Sequence, residues 1–463
     1  MNFRDCYNTI GISRWDSEYY LKYYLNLINV INHQECITLD SICNFIKKGI
    51  FDLSPDNYCN AGIPFIRTSE IKNPIIDFSS TVYINEQTHN ENISTELFPN
   101  DIVFTKIGAY IGDVSLLPCI YHKYNFSQNV AGASVIDKRN SAYILCFFLS
   151  KYGKFQIRRS MMLSGQGKLE LNDIRHYLIP VSSIEFKSLI SDCIKKANEL
   201  RSNSVFLYNE ANLYLCNLLG LNITKFSTSN FANKKYSSFI KSGRLDAEYY
   251  LPKYDELFDK LAKHKTKRLS EIISIEKSIE PGSDVYEEVG IPFIRVANLT
   301  KFGFTDTDVY LPIDEYVDIV RPKKNTILLS KDGSVGIAYK VEEDIDVITS
   351  SAILHLTLKD YSVMPDYLTL VLNSIVVQMQ AERDAGGSVI QHWKPSEIEK
   401  VVIPILDNGV QEQITEMVQE SFALRKESKR LLELAKTAVE IAIEQGEEKA
   451  MNFLIIKNQV VSI

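Results

Sequence analysis

The feature that most constrains this chain is internal, because its first half recurs in its second half at an offset of about 230 residues that narrows to 224 toward the end of each copy. Arg14-Trp15-Asp16-Ser17-Glu18-Tyr19-Tyr20-Leu21 answers Arg244-Leu245-Asp246-Ala247-Glu248-Tyr249-Tyr250-Leu251. Gly62-Ile63-Pro64-Phe65-Ile66-Arg67 returns unchanged as Gly290-Ile291-Pro292-Phe293-Ile294-Arg295. Asp101 through Gly112 resembles Asn325 through Gly336: each is a short apolar strand entering a glycine-punctuated turn with one lysine, Lys106 or Lys331. Ile174 and Pro180 then match Ile398 and Pro404. A duplicated sequence calls for two similar folded units, as does the length of 463 residues.

The segment after each unit reads as helix. Ile414, Val418, Ser421, Leu424, Ser428, Leu431, Ala435, Ala438 and Ala442 alternate spacings of three and four, the signature of a packing seam. Ile190, Ile194, Ala197, Leu200, Ser204, Leu207, Ala211, Tyr214 and Leu218 keep the same register. Small residues at alternate seam positions let two helix backbones approach closely. The helices should run from Ile184 to Leu219 and from Val410 to Gln445, each roughly 54 Å long at about 1.5 Å per residue. The expected fold is therefore α+β: two similar α/β domains separated by two long antiparallel coiled-coil helices about a pseudo-twofold axis. The expected boundaries are a first domain at 1–183, a central helix at 184–220, a linker and second domain at 221–406, and a final helix and tail at 407–463.

Composition excludes several classes. Apolar residues make up 45% and charged residues 24%, a globular balance. The longest apolar run, Ala142 to Leu149, is too short to span a membrane, and residues 1–10 carry no signal-peptide core, so a cytoplasmic protein with no membrane partner is expected. The eight cysteines all precede residue 217 and have neither a C-x-x-C pair nor zinc spacing, which predicts reduced, buried thiols and no metal. A net charge of −7 argues against binding nucleic acid by bulk charge. Between Asp101 and Arg175, however, ten Lys/Arg face five Asp/Glu, and between Asp407 and Glu448 the ratio is reversed. One surface suits a polyanion and the other a protein partner.

These segments resemble the specificity subunit of type I restriction-modification enzymes across nearly the whole chain, from Arg14 to about Gln445. The resemblance rests on the D-x-E-Y-Y opening, the G-I-P-F-I-R segment, the lysine-glycine turn, and the closing stretches Ser164–Pro180 and Gly386–Pro404. It departs where Val181-Ser182-Ser183-Ile184-Glu185 replaces the family's proline-rich, Glu-Gln-containing helix start, of which Gln411-Glu412-Gln413 keeps an echo. The resemblance implies two target-recognition domains that read a split sequence in double-stranded DNA. It further implies two adenine-methyltransferase subunits and restriction/translocase subunits as partners. The chain itself would hold no cofactor; S-adenosylmethionine, ATP and Mg would belong to the partners.

Base edges call for bidentate side chains and phosphates for Lys or Arg. On that basis the candidate DNA contacts are Lys106, Gln128, Arg158, Arg159, Gln166 and Lys168 in the first unit. In the second they are Lys331, Arg383, Gln391, His392, Trp393 and Lys394. Arg67 and Arg295 read equally well as structural ion pairs or phosphate contacts. The contrast of Met161-Met162-Leu163 with Glu382-Arg383-Asp384 suggests unlike half-sites and an asymmetric target. No catalytic residue is expected. Asp56 with Glu70 and Lys72 loosely fits a metal-nuclease pattern, but the second copy has Ala297-Asn298-Leu299 there. Asn73-Pro74-Ile75 lacks the second proline and ring of a methyltransferase segment. The alternative to DNA reading is a scaffold of two repeated domains that binds only proteins.

Overall fold

The computed structural model describes residues 17–71, 74, 76, 78, 80–108, 110–161, 167–221, 226–386 and 391–459. The chain forms two compact units, one of residues 1–201 with 426–463 and the other of residues 202–425.

In the first unit, Cys43–Lys48, Val130–Val135, Ile102–Thr105 and Val114–Leu116 form an antiparallel four-stranded sheet in that order. The two middle strands are buried on both faces, as their unbroken small and apolar composition requires. Cys43–Lys48 instead buries only Cys43 and Ile46, with a register shift between Cys43 and Phe45, and ends in two exposed lysines. That is the pattern of a charged edge strand. A second sheet orders Tyr58–Cys59, Val82–Ile84, Ile63–Ile66 and Asn125–Phe126, with the last pair parallel. Gly62 begins its inner strand at φ +143°, where a Cβ would stand 2.4 Å from the Ile84 carbonyl oxygen, so only glycine fits.

The second unit repeats this plan. Its four-stranded sheet runs Ile273–Lys277, Ile353–Leu358, Ile327–Ser330, Ala338–Lys340, and its smaller sheet runs Tyr310–Leu311, Ile291–Ile294, Ile348–Thr349. In each unit two short helices pack under the large sheet and break at a buried serine. The breaks are Ser150, between Ser141–Leu149 and Lys151–Ser160, and Ser374, between Pro365–Asn373 and Ile375–Asp384. Each serine is extended and caps the following helix through its side chain.

The closing strands Leu178–Pro180 and Val402–Pro404 are held by two side chains apiece. Tyr143 and Tyr367 donate to the Pro180 and Pro404 carbonyls at 2.9 and 2.8 Å. Gln156 engages both the N–H and the carbonyl of Leu178, as Gln380 does for Val402, at 2.8 to 2.9 Å. These four buried polar residues were not singled out in the sequence, although their identity at offset 224 marks them.

The long helices run Ile184–Leu218 and Asn408–Gln445, within two residues of expectation at every end. They pair in both units. In the first, Ser428 Oγ donates to the Ala197 carbonyl at 2.7 Å, and the Ser183 N–H, at the start of one helix, donates to Glu447, beyond the end of the other, at 2.9 Å. Contact in the middle together with start against end defines an antiparallel pair. In the second unit Ser421 Oγ donates to the Ser204 carbonyl at 2.7 Å, and the two hydroxyls lie 3.2 Å apart. Ile190, Ile194, Ala197, Ser204, Ala211, Ile414, Val418, Ser421, Ser428, Leu431, Ala435 and Ala438 are buried. Leu200, Leu207 and Leu424 are half-buried. Leu218, expected to end the seam, is exposed instead; the adjacent Leu215 and Leu219 enter the core in its place. The expected tail holds a further helix, Glu447–Gln459, which Ala450 and Leu454 anchor in the first unit's core.

Two features belong to the second unit alone among the described residues. A hairpin, Leu299–Thr300 with Gly303–Phe304, sets Phe302 between Tyr208 and Phe422 of the long helices, at centroid distances of 5.0 and 5.7 Å. A buried ion pair joins Lys340 to Asp366 at 2.7 Å, and Gln419 of the second long helix donates to the same carboxylate at 3.0 Å. Among the described residues no helix is long and apolar enough to cross a membrane. Among the described residues the cysteines form no disulfide; Cys43, Cys146, Cys193 and Cys216 are buried as expected, whereas Cys36 and Cys59 are half-buried and Cys119 is exposed.

Candidate nucleic-acid interface

In each unit the lysine-glycine turn meets the closing stretch. Ile107 bridges to Lys168 in the first unit and Asp332 to His392 in the second. The Leu169 N–H donates to the Lys106 carbonyl at 3.0 Å, just as Trp393 N–H does to Lys331 at 2.8 Å. The turns reverse through glycines with positive φ, Gly108 and Gly112 in one and Gly333 and Gly336 in the other. These matched contacts gather cations along one rim.

In the first unit the rim holds Lys106, Lys168 and Lys48. Lys106 is 6% exposed, and burial, followed by the charge of Lys168 and of Lys48, pushes its ammonium pKa down, while Glu170 opposes this. Lys168 pairs with Glu170 at 2.7 Å. Gln128 lies in a polar groove with Arg67, Thr68, Ser69 and Asn129. Arg158 is exposed on the last turn of its helix. Gln166 lies outside the described residues.

In the second unit Lys331 pairs with Asp332, whose other oxygen is 2.8 Å from His392 Nδ1. The backbone of Gln391 accepts from Gly333 at 2.9 Å, and Gln391 and Lys394 are exposed. The exposed Lys277 faces Leu354 across the edge of the sheet as Lys48 faces Ala131. Lys48 and Lys277 escaped the sequence reading; the signal was there, since both edge strands end in lysine at matching places.

Three candidates sit elsewhere. Trp393 is 1% exposed and fills the core position that Leu169 fills in the first unit, so it presents nothing to a duplex. Arg159 lies 3.8 Å over the Tyr19 ring and donates to the Tyr19 carbonyl at 3.0 Å. Arg383 lies 4.9 Å over the Tyr249 ring and pairs with Asp384 at 2.8 Å. These two arginines occupy the same place in the repeat and clamp the D-x-E-Y-Y segment. Their equivalence also shows that Met161–Leu163 and Glu382–Asp384 are not corresponding positions, so that contrast carries nothing about half-sites.

Arg67 is engaged structurally: its backbone N–H and guanidinium donate to the fully buried Glu70 at 2.7 and 2.8 Å. Asn298 accepts from the Arg295 N–H in the same way at 3.2 Å. Glu70 thus caps a turn, Asp56 is exposed in a short 3-10 helix, and Lys72 lies outside the described residues.

The architecture is that of a two-domain protein in which each α+β domain offers a lysine-lined rim and is built onto a pair of long helices. Residues 32–204 and 262–434 both match the type I restriction modification DNA specificity domain, and the chain belongs to that family. Solved structures with a similar chain include the S subunit of a type I restriction-modification system from M. genitalium, 13% identical, covering 92% of this chain and 95% of that one at a TM-score of 0.34. Another is the HsdS subunit from Thermoanaerobacter tengcongensis, 14% identical, covering 89% and 97% at a TM-score of 0.28. No curated protein sequence matches.

Proposed function

We propose that this chain is the non-catalytic, sequence-reading subunit of a type I restriction-modification assembly. Each unit reads one half of a split, asymmetric target in the major groove, and the paired helices fix the gap between the halves. Two adenine-methyltransferase subunits and the restriction/translocase subunits dock on it in the cytoplasm. S-adenosylmethionine, ATP and Mg are held by those partners. The observation that carries this reading is the matched pair of rims, each made where a lysine-glycine turn meets a closing stretch, in two copies of a DNA specificity domain.

The chain is acidic overall, and Lys168 and Lys331 of the rims are paired with carboxylates, so the subunit alone binds DNA weakly and the assembly supplies the missing positive surface. The test is co-expression with the methyltransferase partner and mapping of methylated adenines over the host genome. A motif in two parts with a constant gap is expected. A contiguous motif, or methylation by this chain alone, would sink the reading. DNA affinity of the reconstituted complex should also fall steeply with salt, whereas a protein-only scaffold would bind no DNA in any complex.

A further inference from the structure

The two rims share their backbone frame and differ at one place that changes what they can recognise. In the first unit the residue after the turn lysine is Ile107, and its bridge partner is Lys168. In the second unit these positions hold Asp332 and His392. The carboxylate of Asp332 is 22% exposed and sits between two side chains: Lys331 pairs with one oxygen and His392 Nδ1 lies 2.8 Å from the other. Each carboxylate oxygen has room for a second hydrogen bond, since it carries two lone pairs. The His392 ring that flanks the carboxylate is 62% exposed.

A phosphate would be repelled by such a group. In the major groove the complementary donors are exocyclic amines, cytosine N4 and adenine N6. The Ile107 side chain can accept no hydrogen bond, and Glu170 of the first unit is on the closing stretch, paired with Lys168 at 2.7 Å. We infer that Asp332, positioned by Lys331 and His392, is a specificity-determining residue that reads an exocyclic amino group in the half-site of the second unit. The two half-sites therefore differ in kind at this position. This inference rests on the DNA-reading role proposed above.

The test uses the full chain with its methyltransferase partner and compares methylation motifs for the wild type, Asp332→Ala, the nearly isosteric Asp332→Asn, and Ile107→Asp. In D332A one base of one half-site should lose its preference by roughly 5- to 150-fold, the worth of one good base contact, with the other half-site and the gap unchanged. Asn pairs with adenine through N6 and N7. D332N therefore keeps the base if it is adenine and moves the preference toward adenine if it is cytosine. I107D should create a new amine preference in the opposite half-site.

An unchanged motif in both D332A and D332N overturns the inference, as does a uniform loss of methylation at all sites by a folded D332N. Failure of the underlying reading would look different: the wild type itself would give no split motif.

Discussion

Replacing Ser421 with leucine tests whether the long helices meet as closely as the structure describes. Ser421 is fully buried, and its hydroxyl donates to the Ser204 carbonyl at 2.7 Å and lies 3.2 Å from Ser204 Oγ. Ser421→Ala removes these hydrogen bonds but leaves a small residue at the contact, a net cost of about 1 kcal/mol. Ser421→Leu removes them as well and places a branched side chain where a backbone oxygen already stands within hydrogen-bonding distance. Overpacking adds about 1–3 kcal/mol. At about 2–4 °C per kcal/mol for a unit of this size, S421A should lower its melting temperature by about 3 °C and S421L by roughly 5–15 °C. Calorimetry of the full chain reads both. Ser202, exposed on the same stretch of helix, supplies the control, and S202L should change stability by no more than about 0.5 kcal/mol. If S421L melts with the wild type, the helices do not pack through this serine and the close seam is refuted.

Asp366→Ala leaves the buried Lys340 ammonium with Glu342, at 3.3 Å, as its ion-pair partner among the described residues, and should destabilise the second unit by about 3 kcal/mol in chemical denaturation. Gly290→Ala should cost about 1–3 kcal/mol, because φ is +152° and the new methyl would stand 2.3 Å from the Leu311 carbonyl oxygen. Hydrogen bonds from Lys267, and then from Ser362, pull the Asp360 carboxyl down to about 2. A depressed carboxylate pKa stabilises the fold above the ordinary range near pH 4, and this contribution is lost as pH falls toward 2. Asp360→Asn should therefore be less stable than wild type at neutral pH and show a flatter acid-unfolding curve between about pH 4 and pH 2.

The two-unit architecture and the helix ends were legible because both are periodic. A repeat and a seam announce themselves through spacing, and no tertiary knowledge is needed to see them. Individual contacts were less accessible. Trp393 invites a reading from its side chain alone, whereas its counterpart Leu169 states what the position is for. Arg159 and Arg383 look groove-facing only while the copies are compared out of register by a few residues; in register, both fall beside the tyrosine of the opening segment. Lys48, Lys277, Gln156 and Gln380 could have been found by carrying the alignment through every strand and helix. The Lys340–Asp366 pair could not, since its first-unit counterparts are Leu116 and Ala142 and only the folded second unit brings the two charges together.

The glutamines that grip both the N–H and the carbonyl of one residue in each closing strand have a bearing on how such a chain can diverge. With Leu178 or Val402 engaged at its N–H and its carbonyl at once, the strand cannot slide by a residue without forfeiting both bonds. A residue gained or lost between Gln156 and Leu178, or between Gln380 and Val402, must be accommodated in the stretch that connects them. A change of length confined to that stretch leaves the closing strand and the helix beneath it in register, so what is recognised can change without renegotiating the core.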